Sequence, residues 1–469
     1  MEAINKYKAL RVPAKASIWY IASSGIARAG GALCTPIFTR LLTPTEYGLY
    51  PLYASWLGIL SVLVTLEMSG SIIYRGYQRF EGRMEDFTSA AIGVISTVFI
   101  GFCALYFAFH GFIENFTGLG TRVSIFMFLE IYGAAIISLY LAKAKFEYKY
   151  KAVTLLNILS SMLIPFSAII LILSTGIRAE ARIYTSAIIT LAIAVTIIAT
   201  TVKRVDKLYS AEMWRYLLGR SIPLLPHYLS ASLILKAGEI SIGRSHGTAA
   251  LGQYSIAVSV GMILTVVTGG LLSALVPWIM RKIREGGIDR VREMLLLITR
   301  ALALISLLVL AAAPEVLSLL AAEGFRDALP AVYPIEIAAL LSFLSGTIMS
   351  ACTYYERGGL SSLASVLAAA VSIALAFLVL PRVDYRFAGV FALISYLVMA
   401  VISSFIFKRL SGEFPIDVRK SAVILTLSAT YGGVLFALRG VMLSRIFLAL
   451  PLLALLLMSA KELYVKIKE

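Results

Sequence analysis

The feature that most limits how this chain can fold is a series of apolar blocks, each about twenty residues long and almost free of charge. A helix of that length spans the ~30 Å hydrocarbon core of a bilayer. Hydrophobic residues make up 59% of the chain and charged residues 14%, whereas about 25% of the residues in soluble domains are charged. We therefore predict an all-α polytopic membrane protein.

Charged residues, glycines and prolines divide the apolar sequence into about fourteen predicted transmembrane helices. The predicted spans cover residues 17–40, 47–74, 87–108, 122–142, 152–174, 181–202, 221–243, 252–280, 294–313, 331–354, 360–380, 387–407, 421–438 and 446–460. The connections between them are short, so the sequence predicts no extramembrane domain.

Basic residues predict the orientation of these spans. The connections that would face the cytoplasm carry about three times as many Lys and Arg residues as those on the other side. This bias predicts a multi-pass protein of the cytoplasmic (inner) membrane with both termini in the cytoplasm. It also accounts for the net charge of +16 without nucleic acid, because the basic residues lie between the apolar blocks. When basic residues near span ends, and Arg300 two turns into its helix, are counted with the nearest connection, two of the 42 basic residues are left inside predicted spans, Arg28 and Lys236.

An internal repeat divides the spans into two groups. Laying Arg40 on Arg244 also aligns Gly48 with Gly252. An even number of predicted helices separates the two copies, so both halves enter the membrane in the same sense and form parallel lobes. The predicted domains are an N-lobe with spans 1–6 (residues 1–210), a C-lobe with spans 7–12 (residues 211–412) and two further helices, spans 13 and 14 (residues 413–469).

A motif near the first span resembles a known family. The run Thr35–Tyr50, TPIFTRLLTPTEYGLY, resembles the opening signature of oligosaccharide flippases, and the stretches Ser55–Leu60 and Tyr354–Arg357 also fit. These flippases form the polysaccharide transporter branch of the multidrug/oligosaccharidyl-lipid/polysaccharide exporter superfamily. The resemblance implies a MATE-like fold. It also implies that undecaprenyl-pyrophosphate-linked sugar repeat units move from the inner to the outer leaflet by alternating access, for capsule, exopolysaccharide or O-antigen export.

Charged residues inside the predicted spans are the candidates for substrate binding, because a charge near the bilayer centre is rarely left facing lipid. Arg28 and Lys236 lie in corresponding spans of the two repeats and could hold a pyrophosphate across a central cavity. Glu67, Glu130 and Glu239 complete the predicted cavity set. The alternative is structural ion pairing, of Arg28 with Glu67 or Glu130 and of Lys236 with Glu239.

Two further groups of residues carry weaker predictions. Arg75 and Arg220, at cytoplasmic ends of spans, could meet the substrate first, or could simply be solvated helix ends. The residues that could act as hinges, because proline and glycine bend helices, are Gly30, Gly31 and Pro36 in span 1 and Pro223 and Pro226 in span 7.

Two other functions stay open. A cation-coupled multidrug exporter of the same superfamily would use acidic cavity residues, which Glu67 and Glu130 could supply. A membrane enzyme of the same polysaccharide pathway would need a large external loop or an acidic metal-binding motif, so we expect no enzyme. We expect no cofactor, with Na⁺ or H⁺ as the candidate coupling ion. The expected partners are a lipid-linked oligosaccharide, membrane lipids and other polysaccharide-export proteins; we expect a monomer.

Overall fold

The computed structural model describes residues 12–68, 71–202, 208–261, 263–355 and 358–468. Within these ranges the regular secondary structure is helical throughout, which confirms the all-α class. Glu356 and Arg357 of the family motif lie outside them. The chain forms two compact units, the first ending at Ser232 and the second beginning at Leu233. The predicted domain limits at 210 and 412 stay predictions.

Helices follow one another closely in the first unit. They are α1 (Val12–Leu41), α2 (Pro44–Thr65), α3 (Ser71–Arg79), α4 (Met84–Thr117), α5 (Thr121–Phe146), α6 (Tyr150–Thr175), α7 (Ala181–Val202) and α8 (Ala211–Ser221). A 3₁₀ turn, Ile222–Leu224, joins α8 to α9 (Leu225–Ser245), the helix that contains the unit boundary.

The second unit continues with long helices. They are α10 (Gly247–Gly261), α11 (Ile263–Arg284), α12 (Ile288–Leu320), α13 (Leu329–Cys352), α14 (Gly358–Ala374), α15 (Ala388–Ser411), α16 (Val418–Ala437) and α17 (Met442–Lys468). A π-helical segment, Leu375–Val379, continues α14. The last two helices, α16 and α17, both pack against α12.

Helix ends repeat with the register of the internal repeat. The shift that lays Arg40 on Arg244 also lays the last residue of α1 on the last residue of α9. It lays the first residue of α4 on the first residue of α12 as well. Agreement at the two helix ends supports duplication, because chance identities in sequence would not fix helix limits.

Two predicted spans are broken in the structure. Residues 47–74 were expected to form one helix, but α2 ends at Thr65 and α3 begins at Ser71. Leu66 and Glu67 adopt left-handed backbone angles, with φ of 49° and 47°, and a left-handed residue ends a helix. The helix predicted over 252–280 is divided into α10 and α11, which are bent by 43°. The prediction of one continuous helix is wrong in both places.

The number of membrane crossings stays a prediction. Among the described residues, 11 helices are long and apolar enough to cross a membrane, or up to 12 if the bent pair α10 and α11 forms one span. Neither α1 nor α9 is among them. Both carry charged residues in their interiors, Arg28 in α1 and Lys236 and Glu239 in α9, which lowers their mean hydropathy.

Ion pairs between connections support the predicted alternation of sides. Arg178 lies 2.7 Å from Glu46, and both connections were predicted on the outer side. Lys143 lies 2.6 Å from Glu85, and both were predicted on the cytoplasmic side. In the second unit, the pair Arg445 and Glu315, 2.5 Å apart, again joins two connections predicted to lie outside.

Candidate functional site

Glu130 is the centre of a polar cluster inside the first unit. Its side chain projects from α5 and is largely buried. The Tyr53 hydroxyl of α2 donates a 2.6 Å hydrogen bond to one carboxylate oxygen, and the Ser186 hydroxyl of α7 donates a 2.6 Å bond to the other. Three helices therefore meet at one carboxylate, and hydrogen bonds of this kind hold helices together where water is absent.

An arginine, Arg182, extends the Glu130 cluster toward the first residues of α7. Arg182 lies one helical turn before Ser186, and its guanidinium stacks over the Tyr50 ring at 3.7 Å from the centroid. The Tyr50 and Tyr53 rings are 6.1 Å apart, so aromatic contacts connect the arginine to the carboxylate. Arg182 was not predicted, because it lies at the edge of its apolar block rather than inside it.

Glu67 lies at the break between α2 and α3 rather than inside a helix. Its backbone N–H donates a 3.2 Å hydrogen bond to the Thr65 hydroxyl. The side chain is partly exposed, and the described residues include no ion-pair partner for it. The structure does not bring Glu67 to Glu130, so the two acidic residues occupy separate positions in the first unit.

Lys236 and Glu239 form an ion pair on one face of α9. The Lys236 ammonium lies 2.9 Å from a carboxylate oxygen of Glu239, whose side chain is only 8% exposed. The spacing of three residues places both groups on the same side of the helix. This contact is the structural pairing considered as the alternative for Lys236, and a role in substrate binding stays a prediction.

Arg28 lies within α1, but its side chain is outside the part of the chain that the structure describes. Binding of one pyrophosphate by Arg28 and Lys236 together therefore stays a prediction. The same holds for pairing of Arg28 with Glu67 or Glu130.

Arg220 lines a cavity together with arginines that were not predicted. The cavity, of about 620 Å³, lies in the first unit, and Arg79 and Arg215 line it as well. Arg75 is exposed on α3 and is not one of the lining residues. In the sequence these arginines belong to two separate basic segments, one at the end of α3 and one in α8. Only the fold brings the two segments together.

The predicted hinge residues of α1 have different surroundings. Gly30 is buried, and a Cβ added there would overlap the Met162 side chain, so the glycine allows α1 to approach α6 closely. Gly31 is exposed, and an added Cβ would meet nothing within 4 Å. The Pro36 carbonyl accepts a 2.8 Å hydrogen bond from Arg40 in the last turns of α1. A hinge at these residues stays a prediction.

The predicted hinge prolines lie at a junction between helices. Pro223 is in the 3₁₀ turn Ile222–Leu224, and Pro226 is in the first turn of α9. The helical chain thus changes its pitch at the start of the predicted span 221–243 rather than in its middle. Short 3₁₀ segments between α-helical segments often mark hinges, so the location is compatible with the predicted role.

Glu336 is a buried carboxylate that was not predicted. It lies in α13 with no exposed surface, and neither carboxylate oxygen has a hydrogen-bond partner among the described residues. The sequence carries the same signal that identified Glu130, an acidic residue inside an apolar block, Ile335-Glu336-Ile337. A carboxylate in such surroundings is neutral or binds a cation, because an isolated buried charge is very costly.

The fold resembles solved membrane transporters. The lipid II flippase MurJ in an inward closed conformation has a TM-score of 0.69 and 12% identity, covering 96% of this chain and 100% of its own. An inward-facing multidrug resistance MATE family transporter has a TM-score of 0.63 and 14% identity, covering 82% of this chain and 96% of its own. An outward-facing MATE family transporter has a TM-score of 0.56 and 16% identity, covering 88% and 96%.

The helices, the intramembrane charges and these similarities define a multi-pass membrane protein with the MATE-like fold, as predicted. The polysaccharide biosynthesis protein family matches residues 14–282, which is more than half of the chain. The chain therefore belongs to the polysaccharide biosynthesis protein family, and the resemblance seen in the Thr35–Tyr50 run is confirmed. No curated protein matches the chain by sequence.

Proposed function

We propose that this protein is a flippase that moves undecaprenyl-pyrophosphate-linked oligosaccharide units from the inner to the outer leaflet of the cytoplasmic membrane. The observation that carries the proposal is the family match over residues 14–282, in a chain whose fold is that of flippases and exporters. The units would serve capsule, exopolysaccharide or O-antigen export. Both termini would lie in the cytoplasm, and the protein would act as a monomer among membrane lipids and other polysaccharide-export proteins.

Alternating access would expose a central site to each leaflet in turn. In this proposal Arg28 and Lys236 bind the pyrophosphate, because a forked guanidinium and a compact ammonium both suit phosphate oxygens. The helix junction at Pro223 and Pro226 and the glycine pair Gly30 and Gly31 would take up the change in shape.

Coupling to Na⁺ or H⁺ is proposed on the basis of Glu336. Its carboxylate is fully buried and has no hydrogen-bond partner among the described residues. The Ser306 side chain of α12 faces it. A proton or a Na⁺ ion would neutralise the carboxylate, so the affinity of this position for the ion would depend on the packing of α13 against its neighbours.

A cation-coupled multidrug exporter is the second candidate, favoured by the similarity to MATE transporters, by the half-buried Glu130 in the first unit and by two buried carboxylates in the second. Depletion of the protein in a cell that makes a surface polysaccharide separates the candidates. The flippase proposal predicts loss of surface polysaccharide and accumulation of complete lipid-linked units on the cytoplasmic leaflet. Incomplete units would instead indicate an enzyme of the pathway, and normal polysaccharide with greater sensitivity to cationic drugs would indicate the exporter.

A further inference from the structure

A cavity at the predicted cytoplasmic side of the first unit is lined by three arginines. It lies between the end of α3 and the exposed face of α8 and has a volume of about 620 Å³. Arg79 is the last residue of α3, whereas Arg215 and Arg220 come from α8. A volume of this size is typical of pockets that bind small molecules.

The architecture of α8 fixes this cavity in place. Met213 and Leu217, one helical turn apart, are fully buried in the apolar core that also includes Phe80 and Phe87. Arg215 and Arg220 lie on other faces of the helix and are exposed. The two arginines therefore stand on a helix whose backbone is anchored by its apolar face.

An aromatic ring orients one of the guanidiniums. The Arg79 guanidinium lies over the Tyr216 ring, 5.4 Å from its centroid. Tyr216 is itself held by the Phe80 ring at 5.7 Å and by a 3.4 Å hydrogen bond from its hydroxyl to the Ile72 carbonyl. Stacking on a ring leaves the N–H groups at the edge of a guanidinium free to donate to another partner.

The described residues that line the cavity carry more positive than negative charge, three arginines against Glu212. In the part of the chain that the structure describes, none of the three arginines lies within 4 Å of a carboxylate. Glu212 also lines the cavity, but its carboxylate pairs with Arg83, 3.7 Å away. Guanidiniums that line one cavity repel one another, and an anion with several oxygens would stabilise them.

We infer that this cavity, termed the arginine pocket, binds the phosphate groups of a lipid. Guanidinium forks match phosphate oxygens in pairs, which favours phosphate over a carboxylate or a neutral headgroup. Both α3 and α8 lie next to the ends of membrane helices, where lipid headgroups are found. Two lipids share this chemistry, a polyprenyl diphosphate and an anionic phospholipid; the choice of the diphosphate rests on the proposed function.

Binding in the arginine pocket would connect two segments of the first unit that are far apart in sequence. Arg79 ends the helix that follows the break after Thr65, and Arg220 precedes the 3₁₀ turn Ile222–Leu224. A diphosphate that contacts both arginines would join the segment after α2 to the start of α9. The pocket would thus hold the substrate at the membrane surface, and the bound substrate would contact the residue just before the 3₁₀ turn that leads into α9.

The test measures equilibrium binding by the full-length protein in nanodiscs of neutral phosphatidylcholine, with farnesyl diphosphate as the probe. The triple variant Arg79→Gln, Arg215→Gln and Arg220→Gln should bind the probe at least about tenfold more weakly, because several charge-assisted hydrogen bonds are lost. The matched control removes the same charge from exposed arginines of another predicted cytoplasmic connection, with Arg281→Gln, Arg284→Gln and Arg290→Gln. The control should bind like the wild type.

Equal binding by the triple variant and the wild type would overturn the inference. Phosphatidylglycerol added to the nanodiscs distinguishes the two lipids: weak competition supports the diphosphate, and competition as strong as that of farnesyl diphosphate overturns its choice.

Binding does not require transport, so the test of the arginine pocket and the test of the flippase can give different outcomes. Normal export by the wild type with unchanged binding by the triple variant would reject the arginine pocket alone. Loss of binding in the triple variant, with a wild type that does not export, would reject the flippase alone.

Discussion

Three buried or half-buried carboxylates have three different surroundings. Glu130 accepts hydrogen bonds from two hydroxyls on two other helices. Glu239 pairs with an ammonium on its own helix. Glu336 has no hydrogen-bond partner among the described residues. Because an unpaired carboxylate inside a membrane protein is costly, the first two suit structural roles and the third suits binding of a proton or cation.

Lys236 can be tested for a structural role against a role in substrate binding. Lys236→Met removes the partner of a nearly buried carboxylate and should destabilise the protein by about 1–3 kcal/mol. The double variant with Glu239→Gln removes the carboxylate charge as well and should recover most of that stability. Thermal unfolding in detergent and polysaccharide export are measured on both.

Export decides between the two roles of Lys236. If Lys236 helps to bind the pyrophosphate, the double variant stays defective in export although it is stable. Arg28→Ala should be defective in export as well. Recovery of export together with stability would show that Lys236 acts only through Glu239. Normal export by both Arg28→Ala and Lys236→Ala would reject the phosphate-binding hypothesis.

Glu336 gives a separate prediction about energy coupling. In proteoliposomes, an imposed H⁺ or Na⁺ gradient should speed transport by the wild type, because the ion neutralises the Glu336 carboxylate. Glu336→Gln mimics the neutral carboxyl permanently and should lose this stimulation while the protein stays folded. A full response to the gradient in Glu336→Gln would show that the coupling ion binds elsewhere.

Sequence could identify the charged residues but not their partners. The pairing of Lys236 with Glu239, considered as the alternative to substrate binding, is present, because the spacing of three residues along one helix fixes their separation. The partners of Glu130 come from Tyr53 and Ser186, which are far away in sequence. Their meeting depends on how α2, α5 and α7 pack, which a single sequence does not encode in any local pattern.

At the scale of elements, apolar blocks predicted the helices but not the breaks between them. Each predicted span contains a helix, because block length alone is enough to define one. The break after Thr65 was missed because the left-handed residues there are Leu66 and Glu67. Glycine usually marks a left-handed helix end, whereas these two positions hold leucine and glutamate.

A glycine lets α5 approach α7 closely, and this contact can be tested by substitution. A Cβ added to Gly133 of α5 would lie 2.9 Å from the Thr190 Cγ2 and 3.0 Å from its carbonyl oxygen. Gly133→Val should therefore push α5 away from α7 and destabilise the first unit by about 1–3 kcal/mol. Gly101→Val is the matched control, because an added Cβ there meets nothing within 4 Å.

Thermal unfolding of the two glycine variants in the same detergent measures the difference. Equal stability of Gly133→Val and Gly101→Val would contradict the tight packing of α5 against α7. Because Thr190 lies one helical turn beyond Ser186, Gly133→Val should also disturb the hydrogen bond that Ser186 donates to Glu130.

At the scale of the whole molecule, the sequence repeat and the helix register agree. Under the alignment of Arg40 with Arg244, α1 and α9 end at equivalent residues, and α4 and α12 begin at equivalent residues. Ion pairs join connections predicted on the same side of the membrane, such as those of Arg178 with Glu46. Composition and the basic-residue bias were enough to predict this level of organisation, because the bilayer constrains every segment in the same way.

The most direct test of the flippase is transport in proteoliposomes that contain a polyprenyl-pyrophosphate-linked oligosaccharide in both leaflets. A glycosidase added outside reports which molecules are accessible. The flippase proposal predicts that the wild type makes the inner-leaflet pool accessible, while protein-free liposomes leave it protected. An inner-leaflet pool that stays as protected with the folded wild type as without protein would rule out flippase activity.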